Sequence, residues 1–422
     1  MQIKQIQSYY YNTNFYTKKH DNVIIYHVNF QGLSEKQIDK KAKILMKNIG
    51  KEFANNKKAF LFVSHIVPNS IPFIEAAGKY GRIAGIIAKP NSIDIKTYEY
   101  IKNKKINFIE LTKQNLKSNN IIKKSIVPLL QKDEKLIIFD IGGYFAPALK
   151  ELNQTSLIKG IVEDTENGYK KYEKCLITNN TNQIPIYSVA RSKVKSFEDY
   201  LVGRSVAFAT LDLLARNNVD IIGKKIGIIG FGEVGKGAAY YLKNYKNANV
   251  QIFDIDNNIQ KLAYKRGFNT ISRKQLLQTS DIIICATGNK SIAEKDINTL
   301  KKGVYISSCT SSDDEFDFKN INISKLKKYG CKVNELNGIY FLNGGNSINF
   351  INPKKHGQMI SPYIHLTNSG SIKCATLIDK SSNLVTSKIN TLSNDEENKL
   401  IEKFYQYISP ANENKKFIEN LF

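Results

Sequence analysis

Apolar residues along this chain come in short unbroken runs, separated by longer lysine-rich stretches with helical spacing. Runs over 58–64, 83–88, 106–111 and 136–140 are apolar on both faces. That is the pattern of strands buried in a parallel sheet, not of half-exposed strands that alternate. Between the first two, 71–80 reads as a helix. The theme recurs at 157–162, followed by Asp164-Thr165-Glu166-Asn167-Gly168, a polar turn. A helical stretch from about 205 to 218 leads into a second series of strands at 226–229, 250–253, 281–285, 303–308 and 339–350. From residue 356 to the end the signals weaken, apart from one charged helix over 394–408. Alternating strand and helix predicts an α/β fold with mostly parallel sheets. No apolar run approaches the roughly 20 residues needed to span a bilayer.

The most specific pattern lies inside the second series. A strand ends in Gly230-Phe231-Gly232-Glu233-Val234-Gly235, which opens a helical segment, and the next strand ends in Asp254. This is a dinucleotide-binding fingerprint with strand, helix, second strand and terminal acid all in place. Gly230 permits a tight turn, Gly232 lets the backbone approach a pyrophosphate, and Gly235 brings helix and strand together. The helix N-terminus favours the phosphate charge. Asp254 is placed to accept from a ribose 2′-hydroxyl and would repel a 2′-phosphate, so NAD is expected over NADP.

Composition narrows the remaining classes. A chain of 422 residues should form two or three domains. The net charge of +24 comes almost entirely from dispersed lysine beside abundant Asn and Ile. Arginine, better suited to bidentate phosphate contacts, is scarce. A solvated lysine-rich surface is therefore expected, with no nucleic-acid or membrane partner. Cys175, Cys285, Cys309, Cys331 and Cys374 form no CxxC pair, so neither a metal site nor a disulfide framework is expected. The first 20 residues lack the apolar core of a signal peptide, which points to the cytoplasm.

From about Leu33 to His365 the chain resembles the S-adenosylhomocysteine hydrolase family. The fingerprint continues as Lys236-Gly237, matching the family's G-[YF]-G-[DE]-V-G-K-G loop, and Asp254-Ile255-Asp256 matches its second strand end. Glu163 to Gly168 is similar to its E-[ED]-T-x-x-G turn, and Thr287-Gly288 to its Thr-Gly turn. Lys195-Ser196-Phe197-Glu198-Asp199 is similar to its K-S-x-x-D segment. His65 is followed by Glu75 ten residues on, and Asn349 by His356 seven residues on, as in the family. The resemblance implies a Rossmann-type NAD-binding domain, residues 200–351, inserted in a flavodoxin-like parallel α/β substrate domain of 1–195 and 352–393. A C-terminal helical tail, 394–422, follows. It implies a homo-oligomer acting on a small nucleoside. NAD transiently oxidises the 3′-hydroxyl, the 5′ substituent leaves, water adds, and the sugar is reduced again. Carried over position by position, Lys195 and Asp199 become the proton relay at the 3′-hydroxyl and His65 the acid at the leaving group. Asp140, Asp164 and His356 become substrate contacts. Thr165, Glu166, Asn167, Gly230, Gly232, Glu233, Val234, Gly235, Asp254, Thr287, Asn349 and His356 become cofactor contacts.

The departures fall on the substrate side. Where the family has a second Asp after Asp140 stands Ile141, and where it has Thr two residues beyond the histidine stands Val67. Ala190 and Tyr200 replace asparagines, the family's loop histidine is Ser311, and the closing KKFIENLF has no counterpart to its terminal Lys and Tyr. Cofactor binding is thus expected to survive better than substrate recognition. Three functions remain open: a hydrolase of S-adenosylhomocysteine or a related 5′-substituted nucleoside, an NAD-dependent nucleoside oxidoreductase, and a non-catalytic NAD-binding paralogue.

Overall fold

A computed structural model describes residues 33–178, 182–244, 248–351, 362–381 and 384–408. Five strands come first in chain order: β1 (Lys58–Ile66), β2 (Arg82–Ile93), β3 (Lys135–Asp140), β4 (Ile158–Glu163) and β5 (Ile186–Ser188). With Ile389–Asn390 they form an all-parallel sheet, whose spatial order is β2, β1, β3, β4, β5, Ile389–Asn390. This is the flavodoxin-like order expected, and its strand order reverses between β1 and β3. Phe60, Phe62, Ile137 and Phe139 face one core, while Ala59, Leu61, Leu136 and Ile138 face the other. Burial on both faces is why these strands read as unbroken apolar runs.

Four further strands, β6 (Lys225–Ile229), β7 (Asn249–Phe253), β8 (Asn269–Thr270) and β9 (Ile282–Cys285), open the second sheet. In space the order is β8, β7, β6, β9, Tyr305–Ser308, Ile339–Leu342, with an antiparallel extension through Val333–Leu336 and Lys327–Lys328. The parallel part has the order of a doubly wound dinucleotide fold, with its switch point between β6 and β9.

Three sequence expectations are corrected. Residues 106–111 do not form a strand: Lys105 turns the chain at φ +58, and only Phe108 bridges to Ile86 at the sheet edge. With Asn107 and Glu110 exposed, the segment lacks the two covered faces of a central strand. The polar turn 164–168 is already entering a helix, Glu166–Thr178. The helix expected over 205–218 begins twelve residues earlier, as Lys193–Arg216, capped by Ser192 Oγ accepting from Lys195 N. Its apolar periodicity is blurred because it belongs to two cores. Val194, Phe197 and Leu201 pack with the first sheet, and Val206, Ala209 and Leu213 with the second.

The Asn394–Ile408 helix expected at the C-terminus packs Leu400, Phe404 and Ile408 into the first core, beside the Tyr363–Lys380 helix.

The Lys193–Arg216 helix crosses the Glu233–Lys243 helix at glycine. A Cβ on Gly203 would lie 1.9 Å from Val234 O, and one on Gly237 would lie 1.9 Å from Tyr200 O. Neither carbonyl is a flexible side-chain end, so the crossing admits no methyl group. Gly203→Ala should cost about 1–3 kcal/mol or more by overpacking, read as a lower midpoint in thermal unfolding. Because the second helix starts at the cofactor loop, NAD affinity should fall in the same variant.

Candidate functional site

The cofactor loop is built by three glycines with separate tasks. Gly230 adopts φ +98, and its Cβ would lie 2.8 Å from Ala286 O. A Cβ on Gly235 would lie 1.9 Å from Gly230 O, so helix and strand meet here as expected. Gly232 caps the Glu233–Lys243 helix, with open space around its Cα and no side chain bonding the first-turn N–H groups. A helix start left uncapped by side chains, with a bare glycine in front of it, fits a pyrophosphate. Glu233 pairs with Lys236 at 2.6 Å, and Val234 gives its carbonyl to the helix crossing. Asp254, partly exposed, accepts from Phe231 N at 2.7 Å and Asp256 N at 2.9 Å, one donor on each oxygen. Each carboxylate oxygen keeps a second lone pair for a ribose hydroxyl.

Opposite this loop, Thr287 follows β9. Its N–H and hydroxyl both donate to Glu315 Oε1, while Gly288 N and Thr310 Oγ1 donate to Oε2. Fully buried Glu315 therefore ties together the loops leaving two adjacent strands. Sequence reading passed over it, because an acid in the run Ser-Ser-Asp-Asp-Glu looks like solvated surface. Asn349 is buried on the short turn Ile348–Phe350. His356 lies outside the described residues.

On the first domain, the acids divide into structural and open ones. Asp140 ends β3 fully buried, accepting from Tyr144 N and Phe145 N at 3.1 and 3.0 Å and from the Tyr172 hydroxyl at 2.6 Å. With no exposed surface and both oxygens taken, it caps its own loop. The side chain expected to meet substrate is thus engaged within its own loop. Glu163 likewise accepts from Gly142 N, Gly143 N, Thr165 N and the Thr165 hydroxyl. Burial raises the pKa of both carboxyls, with the Asp140 charge adding to the rise at Glu163. Thr165 is thus turned toward Glu163. Glu166, expected at the cofactor, is drawn outward into a two-pronged pair with Arg191 at 2.7 and 2.9 Å. Asn167 reaches across to Asp314 on the second domain. Glu75 pairs with Lys43 and Tyr100 away from the cleft.

Asp164, the residue directly after β4, belongs to a different cluster. Buried Lys195 places Nζ 2.9 Å from Asp164 Oδ1, 3.0 Å from Glu198 Oε2 and 3.5 Å from Asp199 Oδ1. Lys195, Glu198 and Asp199 share one side of the first turn of their helix, as spacings of three and four residues require. Glu198 was not anticipated; spaced three from a lysine, it reads as an ordinary surface pair. Three acids on one ammonium leave an excess of negative charge. Burial is the largest influence on Lys195, Glu198 and Asp199, lowering the first and raising the other two, but the three carboxylates more than reverse it at Lys195. They hold that ammonium protonated. Asp199 is pushed up to about 7 by burial, with Glu198 and Asp164 adding to the rise and Lys195 opposing it.

His65 stands at the end of β1, beside the switch point. Its Nδ1 lies 2.5 Å from Ser92 Oγ, and its ring stacks on Phe350 of the second domain at 4.4 Å and 15°. Burial first, then the charges of Lys89 and Lys195, hold its pKa well below the ordinary histidine value. At neutral pH the imidazole is neutral. The domains also meet where Lys113 and Lys171 converge on Asp314 at 3.1 Å each, and where Asn91 donates to Asn346. Ser311, at the family's histidine position, donates to Asp314.

Fold and cradle define a doubly wound dinucleotide-binding domain joined to a parallel α/β domain. Residues 206–352 match the model of the S-adenosyl-L-homocysteine hydrolase NAD-binding domain. The chain is 26% identical over 238 residues to an adenosylhomocysteinase of Sulfolobus acidocaldarius, covering 53% of this chain and 55% of that protein. It is 25% identical over 232 residues to one from Thermotoga maritima, covering 54% and 56%. A transhydrogenase structure from Sinorhizobium meliloti is 12% identical, with 74% of this chain and 96% of that chain covered at a TM-score of 0.36. The chain is thus similar to the S-adenosyl-L-homocysteine hydrolases, and NAD is the cofactor of its second domain. It spans about half the length of the curated relatives it matches.

Among the described residues no three His, Cys, Asp or Glu side chains group as a metal site, and no helix is long and apolar enough to cross a membrane. Asp254→Ala should weaken NAD binding and narrow the gap to NADP, measured by calorimetry with both cofactors. Equal affinities for the two in the parent protein would remove the ribose role from Asp254.

Proposed function

We propose that this protein is an adenosylhomocysteinase-like enzyme acting on S-adenosylhomocysteine or a related 5′-substituted nucleoside through transient oxidation at the 3′ carbon. The observation that carries the reading is the Lys195 cluster. It sits on the same helix that, two turns later, crosses the cofactor helix at Gly203. When bound, NAD would supply the hydride acceptor at the 3′ carbon and later the hydride donor. Lys195, held protonated, uses its three donors to fix the Asp164, Glu198 and Asp199 carboxylates that face the sugar hydroxyls. Asp199, with a carboxyl near neutrality, takes the hydroxyl proton; a base so tuned transfers protons efficiently at physiological pH. Asp164 accepts from the neighbouring hydroxyl, and neutral His65 is positioned to take a proton from water on the 5′ side.

A second reading, an NAD-dependent nucleoside oxidoreductase without elimination, is favoured by one observation. The β3 end holds no available acid, since Asp140 is sequestered by three donors and Ile141 follows it. Cleavage of S-adenosylhomocysteine is therefore expected to be slow even where its 3′-hydroxyl is oxidised.

Lys195→Ala or Asp199→Ala should lower reduction of bound NAD by an added nucleoside by about 10²–10⁴-fold, with NAD affinity nearly unchanged. Absorbance of the reduced nicotinamide in a single turnover reads this out; parental rates in either variant would sink the relay. Ile141→Asp should raise release of the 5′ substituent. Release at about 1 per second or faster by the parent protein would favour the hydrolase over the oxidoreductase.

The relay also sets a pH profile. A base works only when deprotonated, so NAD reduction should fall as pH drops through the Asp199 value of about 7. Asp199→Asn should abolish that acid limb. A flat profile between about pH 5 and 8 in the parent protein would exclude Asp199 as the base.

A further inference from the structure

Lys89 stands apart from the other lysines of the cleft. Lys113, Lys171 and Lys195 each reach a carboxylate within 3.2 Å. Lys89 has none within 4.0 Å among the described residues; its Nζ donates only to the backbone carbonyl of Ile141, at 3.2 Å. It lies on β2 one residue beyond Ala88, the register partner of Ser64, where the ladder breaks before Ile66 pairs with Ile93, and it is close enough to His65 for its charge to bear on that imidazole. Its long side chain leans over the end of β1 to the end of β3, and a Cβ on Gly142 would lie 3.5 Å from the ammonium. Ser92, which meets His65 Nδ1, also donates to the Lys89 carbonyl.

The order of groups along the C-terminal edge of the sheet gives this lysine a direction. Asp164 and the Lys195 cluster follow β4, Ile141 follows β3, His65 ends β1, and Lys89 comes from β2, in that spatial sequence. A nucleoside with its 3′-hydroxyl at Lys195 and its 5′ atom at His65 extends its 5′ substituent toward Lys89. Resting on the nucleoside reading above, we propose that Lys89 is the specificity-determining contact of the pocket and takes a carboxylate carried on the 5′ substituent. A single ammonium suits a monoanion. A phosphate would bring a second negative charge toward Glu163, Asp164 and Asp314, which already surround the lysine. Burial, with the charge of Lys113, holds the Lys89 amine down at about 8, against the opposing pull of those three acids; His65 beside it is neutral. An arriving carboxylate raises that value, so binding takes up a proton near pH 8.

The test uses the NAD-loaded protein and two 5′-thioether nucleosides, 5′-carboxymethylthioadenosine and 5′-methylthioadenosine, titrated by calorimetry in buffers of different ionisation enthalpy. The parent protein should prefer the carboxylate by about tenfold or more, the size of one charge-assisted contact. It should take up about half a proton with that ligand at pH 8 and none with the neutral one. Lys89→Met should bring the ratio of dissociation constants toward one, and Lys89→Arg should restore it. A ratio near one in the parent, or an unchanged ratio in Lys89→Met, overturns the role of Lys89 while leaving the nucleoside pocket standing. If neither nucleoside binds, the nucleoside reading fails and takes this assignment with it. Retained NAD reports that each variant is folded, and the parent's ratio and proton uptake decide the matter even if Lys89→Met is not.

Discussion

Two helices cross so closely at Gly203 and Gly237 that a methyl group on either would overlap a carbonyl oxygen of the other. One helix carries Lys195, Glu198 and Asp199 at its start, and the other opens at the cofactor loop. Backbone packed on backbone has few ways to slide, because interiors at native density transmit displacement. The Lys195 cluster and the dinucleotide cradle are thereby fixed relative to each other through main chain. The first helix also plants its two halves in different cores, so both domains hold it.

The buried carboxylates serve two physically different ends. Asp140, Glu163 and Glu315 are surrounded by backbone N–H and hydroxyl donors, and each organises a loop at the C-terminal end of a parallel strand. Asp164, Glu198 and Asp199 instead share one ammonium, which leaves charge unbalanced in a poorly solvated place. A donor-saturated carboxylate is a strut, whereas an under-compensated one responds to whatever enters the cleft. Ile141 and Val67, at two positions where the chain departs from the family it resembles, lie outside this bracing. The struts sit in the loops themselves, and the replaced side chains are not among them.

Much of the architecture was legible because it rests on local rules. Unbroken apolar runs meant strands covered on both faces, and the glycine spacing after β6 meant a tight turn into a helix start. Lys195 and Asp199, four residues apart, were expected to meet, and they do. Residues 106–111 misled because apolar composition alone cannot tell a central strand from an edge segment that makes a single bridge. The early start of the Lys193–Arg216 helix was hidden by its burial in two cores, which erases the one-sided periodicity by which helices are recognised.

What the sequence alone determined is the cofactor side: a run of buried parallel strands, with a glycine loop and an acid at the next strand end encoded within about 30 contiguous residues. What only the tertiary structure decided is how distant groups share charge. Asp140 became a loop cap through Tyr172, Glu166 turned outward to Arg191, and Glu198 joined Asp164 around Lys195. His65 was made neutral by burial first and then by the charges of two lysines from other elements. Hydrogen-bond saturation and proton affinity depend on burial and on neighbours brought from far along the chain, and no local spacing records those.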